Sequence, residues 1–288
     1  MRAWLLAVRP QTLSAAIVPV MIGSALAADE PAAVTWWVFF CALFGAVLIQ
    51  VATNLINDAL DFKKGADTGE RLGPVRVTQA GLISAEWVMT MAWVCLMGAV
   101  VCGIPLLYRG GWPMLVIGVA SIVMAYAYTG GPYPLAYHGL GELFVIVFFG
   151  FVAVGGTFYA HSLQLTRSAL LAGFAVGALA TLLLAINNLR DVAGDRVSNK
   201  RTLAVRFGER FARAEIVFFV LAPFAAVAWL AWMRDQYGLL LPLAALPLAF
   251  ILLARVWKSS GAELNRCLAI AGALQWAFGI LFVLGSLA

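Results

Sequence analysis

The chain has 288 residues, of which 63% are hydrophobic and 11% charged, and its mean hydropathy is +0.94. An ordinary soluble domain carries about 25% charged residues, so this composition argues against a water-soluble fold. Nine apolar stretches of about 18 to 23 residues recur along the chain, each long enough to cross a hydrocarbon core of roughly 30 Å as a helix. They fall at 12–28, 35–57, 84–107, 112–129, 141–161, 167–189, 211–233, 237–257 and 265–287. The runs are continuous and do not alternate, so helices are expected and a membrane barrel is not. The reading is an all-α integral membrane protein of about nine transmembrane helices, one domain over 1–288.

The first span follows Arg2 and Arg9 and continues past Pro19 to Ala28 without an A-x-A cleavage site, so it is expected to be retained. With nine spans, the loops on one side of the membrane hold Arg109, Arg167 and Arg234. The other sixteen of the nineteen Lys and Arg residues lie on the opposite side. Basic residues near helix ends stay cytoplasmic, which predicts the N-terminus inside and the C-terminus outside. The net charge of +5 reflects this bias and not a nucleic-acid footprint, so no nucleic-acid partner is expected. Cys41, Cys95, Cys102 and Cys267 fall within apolar spans without metal-ligand spacing and read as small core residues. Trp4, Trp36, Trp37, Trp112 and Trp232 lie near expected helix ends, as an interfacial belt requires.

The unusual residues concentrate after the second and sixth spans. If the second helix continues, Gln50, Asn54, Asn57, Asp58 and Asp61 share one face. After the sixth span, Asn187, Asp191 and Asp195 are spaced by four on one face. Asn57 and Asn187 occupy equivalent positions, and both runs read Asn-x-x-x-Asp followed by a further acid. Helix capping or simple solvation would account for a single run; two matching stripes at membrane depth are better explained as one site.

Clustered carboxylates with amide oxygens are hard ligands suited to Mg²⁺, which typically bridges carboxylates to substrate phosphates. Lys63, Lys64, Arg71, Arg76, Arg190, Lys200 and Arg201 can take outer phosphate oxygens. No Gly-rich nucleotide loop is present, so a diphosphate attached to a lipidic group fits best. A transporter is the main rival, but both clusters lie at helix ends and not at the midplane. A cytidine-linked lipid transferase would call for an Asp-Gly-x-x-Ala-Arg run, which is absent.

At these residues the sequence resembles the UbiA superfamily of intramembrane prenyltransferases. The resemblance rests on RPQTLSAAIVPVMIGSAL at 9–26, NDALDFKKGADT at 57–68, RLGPVRVTQAG at 71–81, YTGGPYPLAYHGLGELFVIVFFG at 128–150 and NNLRDVAGDRVSNKRTLAVRFG at 187–208. Most members place a third acid four residues after Asp61; here that position is Gly65 and the next acid is Asp67, a shift similar to that of the branch acting on 1,4-dihydroxy-2-naphthoate.

The resemblance implies a bundle with a cytoplasmic-side cavity in the inner (cytoplasmic) membrane. It implies transfer of a prenyl group from a polyprenyl diphosphate to 1,4-dihydroxy-2-naphthoate, with loss of diphosphate and CO2, giving demethylmenaquinone; 4-hydroxybenzoate is the alternative acceptor. It also implies Mg²⁺ on Asn57, Asp61 and Asp67 opposite Asp191 and Asp195. Tyr126, Tyr128 and Tyr133 are candidates to face the cation-like allylic carbon, or to serve only as interfacial tyrosines. Asp58 is expected in the catalytic set as a base or as a hydrogen-bonding support. Arg9, Asn54 and Asn188 are candidates for binding the acceptor, with Arg9, Arg76 and Arg190 open as partners of its carboxylate. His138 and His161 are expected near opposite membrane faces, which excludes a paired-histidine mechanism.

Overall fold

The computed structural model describes residues 2–28, 34–65 and 72–288, and among them every regular element is helical. In chain order these are α1 (Arg2–Val8), α2 (Ser14–Ala28), α3 (Trp36–Lys63), α4 (Ala85–Gly110), α5 (Trp112–Ala127), α6 (Gly141–Ser162), α7 (Arg167–Val197), α8 (Leu203–Phe207), α9 (Glu209–Arg234), α10 (Tyr237–Lys258) and α11 (Gly261–Ser286). Seven of them, α3, α4, α6, α7, α9, α10 and α11, are long and apolar enough to cross a membrane, which makes the protein a multi-pass membrane protein.

The segment 2–12 meets α2 at 49°, and the bent pair has the length and apolarity of an eighth span if taken as one. The bend has a local cause. Arg9 precedes Pro10 and adopts φ 54°, leaving the right-handed region that the residue before a proline avoids. The remaining expected span, 112–129, is α5, whose 16 residues reach about 24 Å at 1.5 Å per residue. It starts beside Gly111 and Pro113 and stops before Gly130, Gly131 and Pro132, so turn chemistry trims it at both ends.

Two main apolar cores form among the described residues, beside two small clusters around Val145 and Met114. The larger gathers α2, α6, α7, α9, α10 and α11 around Phe158, Leu179, Leu182, Phe278 and Phe282. The other joins α1, α3, α4 and α5 around Ala52, Leu55, Ile56, Val88 and Leu96. The helix α7 is central, with 72% of its most apolar stretch buried, against 22% for α4. Residues 146–152 of α6 form a π-helical stretch that crosses α7 at Gly173 and Gly177. A Cβ on Gly177 would stand 2.8 Å from the Ile146 carbonyl oxygen, so the glycine lets the two backbones touch. Trp36, Trp112 and Trp232 lie exposed at helix ends.

Candidate active site

The two longest helices are α3 and α7, with 28 and 31 residues, or about 42 and 46 Å against a hydrocarbon core of roughly 30 Å. Both polar stripes ride on their C-terminal halves. Gln50, Asn54, Asn57 and Asp61 of α3 line one cavity of about 530 Å³ together with Asn187, Asn188, Arg190, Asp191 and Asp195 of α7. The loops after α3, α5 and α7 close it with Arg76, Thr129 and Lys200.

Charges are paired across this space. Asp61 is 3% exposed and accepts from Arg76 Nη2 at 2.7 Å, Tyr137 Oη at 2.8 Å and Lys200 Nζ at 3.2 Å. Arg76 also donates from Nη1 to the Asn57 carbonyl at 2.6 Å, and the Thr129 hydroxyl donates to Asn57 Oδ1. Arg190 forks onto Asp191, with Nε to Oδ1 at 2.8 Å and Nη2 to Oδ2 at 2.6 Å. Its Nη1 reaches Asn265 of α11 at 2.8 Å, and Asn265 in turn donates to the Leu72 carbonyl. Asp195 stands within electrostatic reach of Lys200, Asp191, Asp61 and Arg190. Tyr128 stands half-buried on the cavity wall beside Gly141.

Some expected site residues are placed elsewhere. Asp58 turns away from the cavity and is 1% exposed. Its carboxylate accepts from the backbone N–H of Val77 at 3.1 Å and of Thr78 at 3.2 Å, and from the Thr78 hydroxyl, so its oxygens are committed to the loop that carries Arg76. Tyr126 points outward and stacks on Trp93, with centroids 6.2 Å apart. Tyr133 lies exposed and stacks on His138. Lys63 and Arg201 are exposed beyond the lining. Lys64 donates to the Thr129 carbonyl at 2.6 Å and lies 4.6 Å from the Tyr137 ring. Asp67 and Arg71 lie outside the described residues. Arg9, Asn54, Asn188 and Tyr128 line the cavity. His161 is fully buried against Ser24 and Thr35, remote from His138 and its Pro134 carbonyl.

Sequence reasoning missed Glu142, which is 4% exposed, lines the cavity and accepts from Asn188 Nδ2 at 2.7 Å. An acid at the very start of an apolar span was the available signal. Tyr137, which binds Asp61 from a loop, had no pattern to betray it. Among the described residues no three acidic, histidine or cysteine side chains converge as a ready metal cluster. Asp61 and Asp191 are each held by cationic side chains.

A second, apolar chamber of about 300 Å³ lies between α2, α3, α4, α5 and α6, lined by Cys41, Gly45, Ile104, Ile117, Phe148 and neighbouring side chains. The two chambers share Ala15, Gln50, Thr53, Phe144 and Phe149, which line both and mark the boundary, or neck, where they adjoin.

A helical membrane bundle with a charged cavity adjoining an apolar chamber is the architecture expected of an enzyme acting on amphiphilic substrates, and the chain belongs to the UbiA prenyltransferase family, whose model matches residues 16–286. It is 37% identical to the 1,4-dihydroxy-2-naphthoate octaprenyltransferase of Mycobacterium tuberculosis, over 96% of this chain and 97% of that one. It is 34% identical to the enzyme of the same name from Haemophilus influenzae, over 100% and 96% of the two chains. The fold matches that of a UbiA homolog from Archaeoglobus fulgidus bound to GPP and Mg²⁺, with a TM-score of 0.68 and 14% identity over 97% and 99% of the chains. The donor set here fits such an ion: Asn57, Asp61, Asp191 and Asp195 present hard oxygens to one polar cavity.

Proposed function

We propose that this protein transfers a polyprenyl chain from its diphosphate to 1,4-dihydroxy-2-naphthoate, releasing diphosphate and CO2 and forming demethylmenaquinone. The observation that carries this reading is the pairing of a cation-lined polar cavity with an apolar chamber through one neck. The diphosphate belongs in the first and the prenyl tail in the second, which sets the bond to be broken at the boundary. We further infer nine membrane passes, with the acidic helix ends and the N-terminus on the cytoplasmic side of the inner membrane.

Asn57, Asp61, Asp191 and Asp195 would hold Mg²⁺, with Asp67 a further candidate. Bound there, the ion supplies Lewis-acid neutralisation of the departing diphosphate. Arg76, Lys200 and Arg190 exchange their carboxylate partners for phosphate oxygens, with Lys63, Lys64, Arg71 and Arg201 as further candidates. Tyr128, half-buried, offers its ring and hydroxyl to the cavity. Arg9 takes the acceptor carboxylate: it lines the cavity beside Thr12 and Asn54, and its left-handed backbone is a strained conformation of the sort kept at functional sites. Asn54 and Asn188 sit on opposite walls of the acceptor space.

The test is incubation of membranes containing the protein with labelled polyprenyl diphosphate, Mg²⁺ and either dihydroxynaphthoate or 4-hydroxybenzoate. Prenylation of the naphthoate is expected. Prenylation of the benzoate alone overturns the acceptor, and no transfer to any aromatic overturns the activity.

A further inference from the structure

The neck between the chambers is made of two small side chains, Ala15 and Thr53, two phenylalanines, Phe144 and Phe149, and one amide, Gln50. Thr53 gives its hydroxyl proton to the Ile49 carbonyl of its own helix at 2.8 Å. That leaves Gln50 as the side chain whose hydrogen-bonding capacity is not spent on the protein.

The orientation of that amide follows from its neighbours. Asn54 Nδ2 donates to the Val8 carbonyl at 2.9 Å, and a peptide carbonyl can only accept, so Asn54 Oδ1 faces the other way. Thr12 gives its single proton to the Arg9 carbonyl at 3.0 Å and accepts from Asn54 Nδ2 at 2.9 Å. Gln50 therefore meets two acceptors, Thr12 Oγ1 at 3.3 Å and Asn54 Oδ1 at 3.4 Å, and must present its Nε2 to both. Its Oε1 is turned away. Gln50 is 8% exposed, and among the described residues this buried oxygen has no hydrogen-bond partner. Buried amide oxygens are nearly always paired, so an orphan held in place by a built network calls for a donor from elsewhere.

The place identifies the donor. The reacting allylic carbon joins a charged head to an apolar tail, so it sits at the neck, and an aromatic acceptor must bring a ring carbon to it there. We propose that Gln50 is the acceptor-orienting residue: its amide oxygen takes the hydrogen bond of one ring hydroxyl of the acceptor, while Phe144 and Phe149 flank the ring plane. A turn about the terminal torsion of Gln50, which is broad for amides, brings Oε1 to the opening by giving up the two long bonds of Nε2 at 3.3 and 3.4 Å. The bond directs one ring edge at the allylic carbon and rejects rings that lack a hydroxyl at that position, because the buried oxygen would then stay unpaired. This inference rests on the dihydroxynaphthoate reading.

The experiment uses the full chain in detergent or nanodiscs, with 1-hydroxy-2-naphthoate and 4-hydroxy-2-naphthoate as competitors, each lacking one hydroxyl of the acceptor. The unaltered protein is expected to bind one of the two about tenfold more weakly than the other. In Gln50→Leu that preference collapses to within twofold. The same substitution raises the KM for dihydroxynaphthoate about tenfold and leaves the KM for polyprenyl diphosphate unchanged. Gln50→Met, unbranched like glutamine but without an acceptor, gives the same result should the leucine variant not fold. Equal binding of both competitors by the unaltered protein, or a preference that persists in both variants, overturns the proposal. A purely structural role for Gln50 would change both substrates together and leave the preference intact. Failure of the acceptor reading itself registers differently, as no turnover of dihydroxynaphthoate by the unaltered protein, and the proposal falls with it.

Discussion

The ends of α3 and α7 carry nearly the same sequence pattern and put it to different uses. Offset by 130 positions, Asn57 matches Asn187, Asp61 matches Asp191, Asp58 matches Asn188 and Gly65 matches Asp195. Asp61 and Asp191 do behave alike, each facing the cavity and each held by arginine. The neighbouring pair diverges. Asp58 is buried under residues 76–78 and anchors that loop, whereas Asn188 faces the cavity and holds Glu142. Spacing along a helix sets which residues share a face; what packs on the adjoining face decides whether a side chain there serves substrate or scaffold.

The comparison can be broken most forcefully at the matched acids. Asp61→Ala and Asp191→Ala are each expected to reduce prenyl transfer on the order of a thousandfold without preventing membrane insertion, as measured with labelled polyprenyl diphosphate. Retention of a tenth of the activity by either variant would remove that residue from the clamp. At the divergent pair the expected effect is one of stability. Asp58→Ala strands two backbone N–H groups and a hydroxyl, and should cost about 3 kcal/mol, read as a lowered thermal midpoint in detergent. A loss of turnover with an unchanged midpoint would return Asp58 to the chemistry. Smallest is Asn188→Ala, which leaves the Glu142 carboxylate without its amide donor and should cost about 2 kcal/mol, with part of the effect appearing as a higher KM for the acceptor. An Asn188 variant as damaging as Asp58→Ala would erase the distinction between the two ends.

Much of this was legible beforehand. The long apolar runs, the continuation of α3 and α7 through their polar stripes, and the alignment of Asn57 with Asp61 and of Asn187 with Asp191 and Asp195 follow from helical periodicity. The role of Asp58 was not legible, because a carboxylate beside Asn57 reads the same whether it faces the cavity or a loop nineteen residues on. Tyr126 was misplaced because two residues along a helix rotate a side chain by about 200°, which turns it to the side opposite the cavity-lining Tyr128. Glu142 was hidden by its place at a span boundary, where acids are common.

What the amino-acid sequence by itself determined is whatever depends on neighbours along the chain: membrane helices from apolar length and two acidic stripes from spacing. Only the tertiary structure decided what depends on neighbours across space. It brought the stripes to one cavity, paired Asp61 with Arg76, Tyr137 and Lys200, joined a polar chamber to an apolar one, and left the oxygen of Gln50 unpaired at the neck. The physical reason is that hydrogen bonds and charge pairs act over about 3 Å, and residues 15 to 139 positions apart come within that distance only once the helices pack.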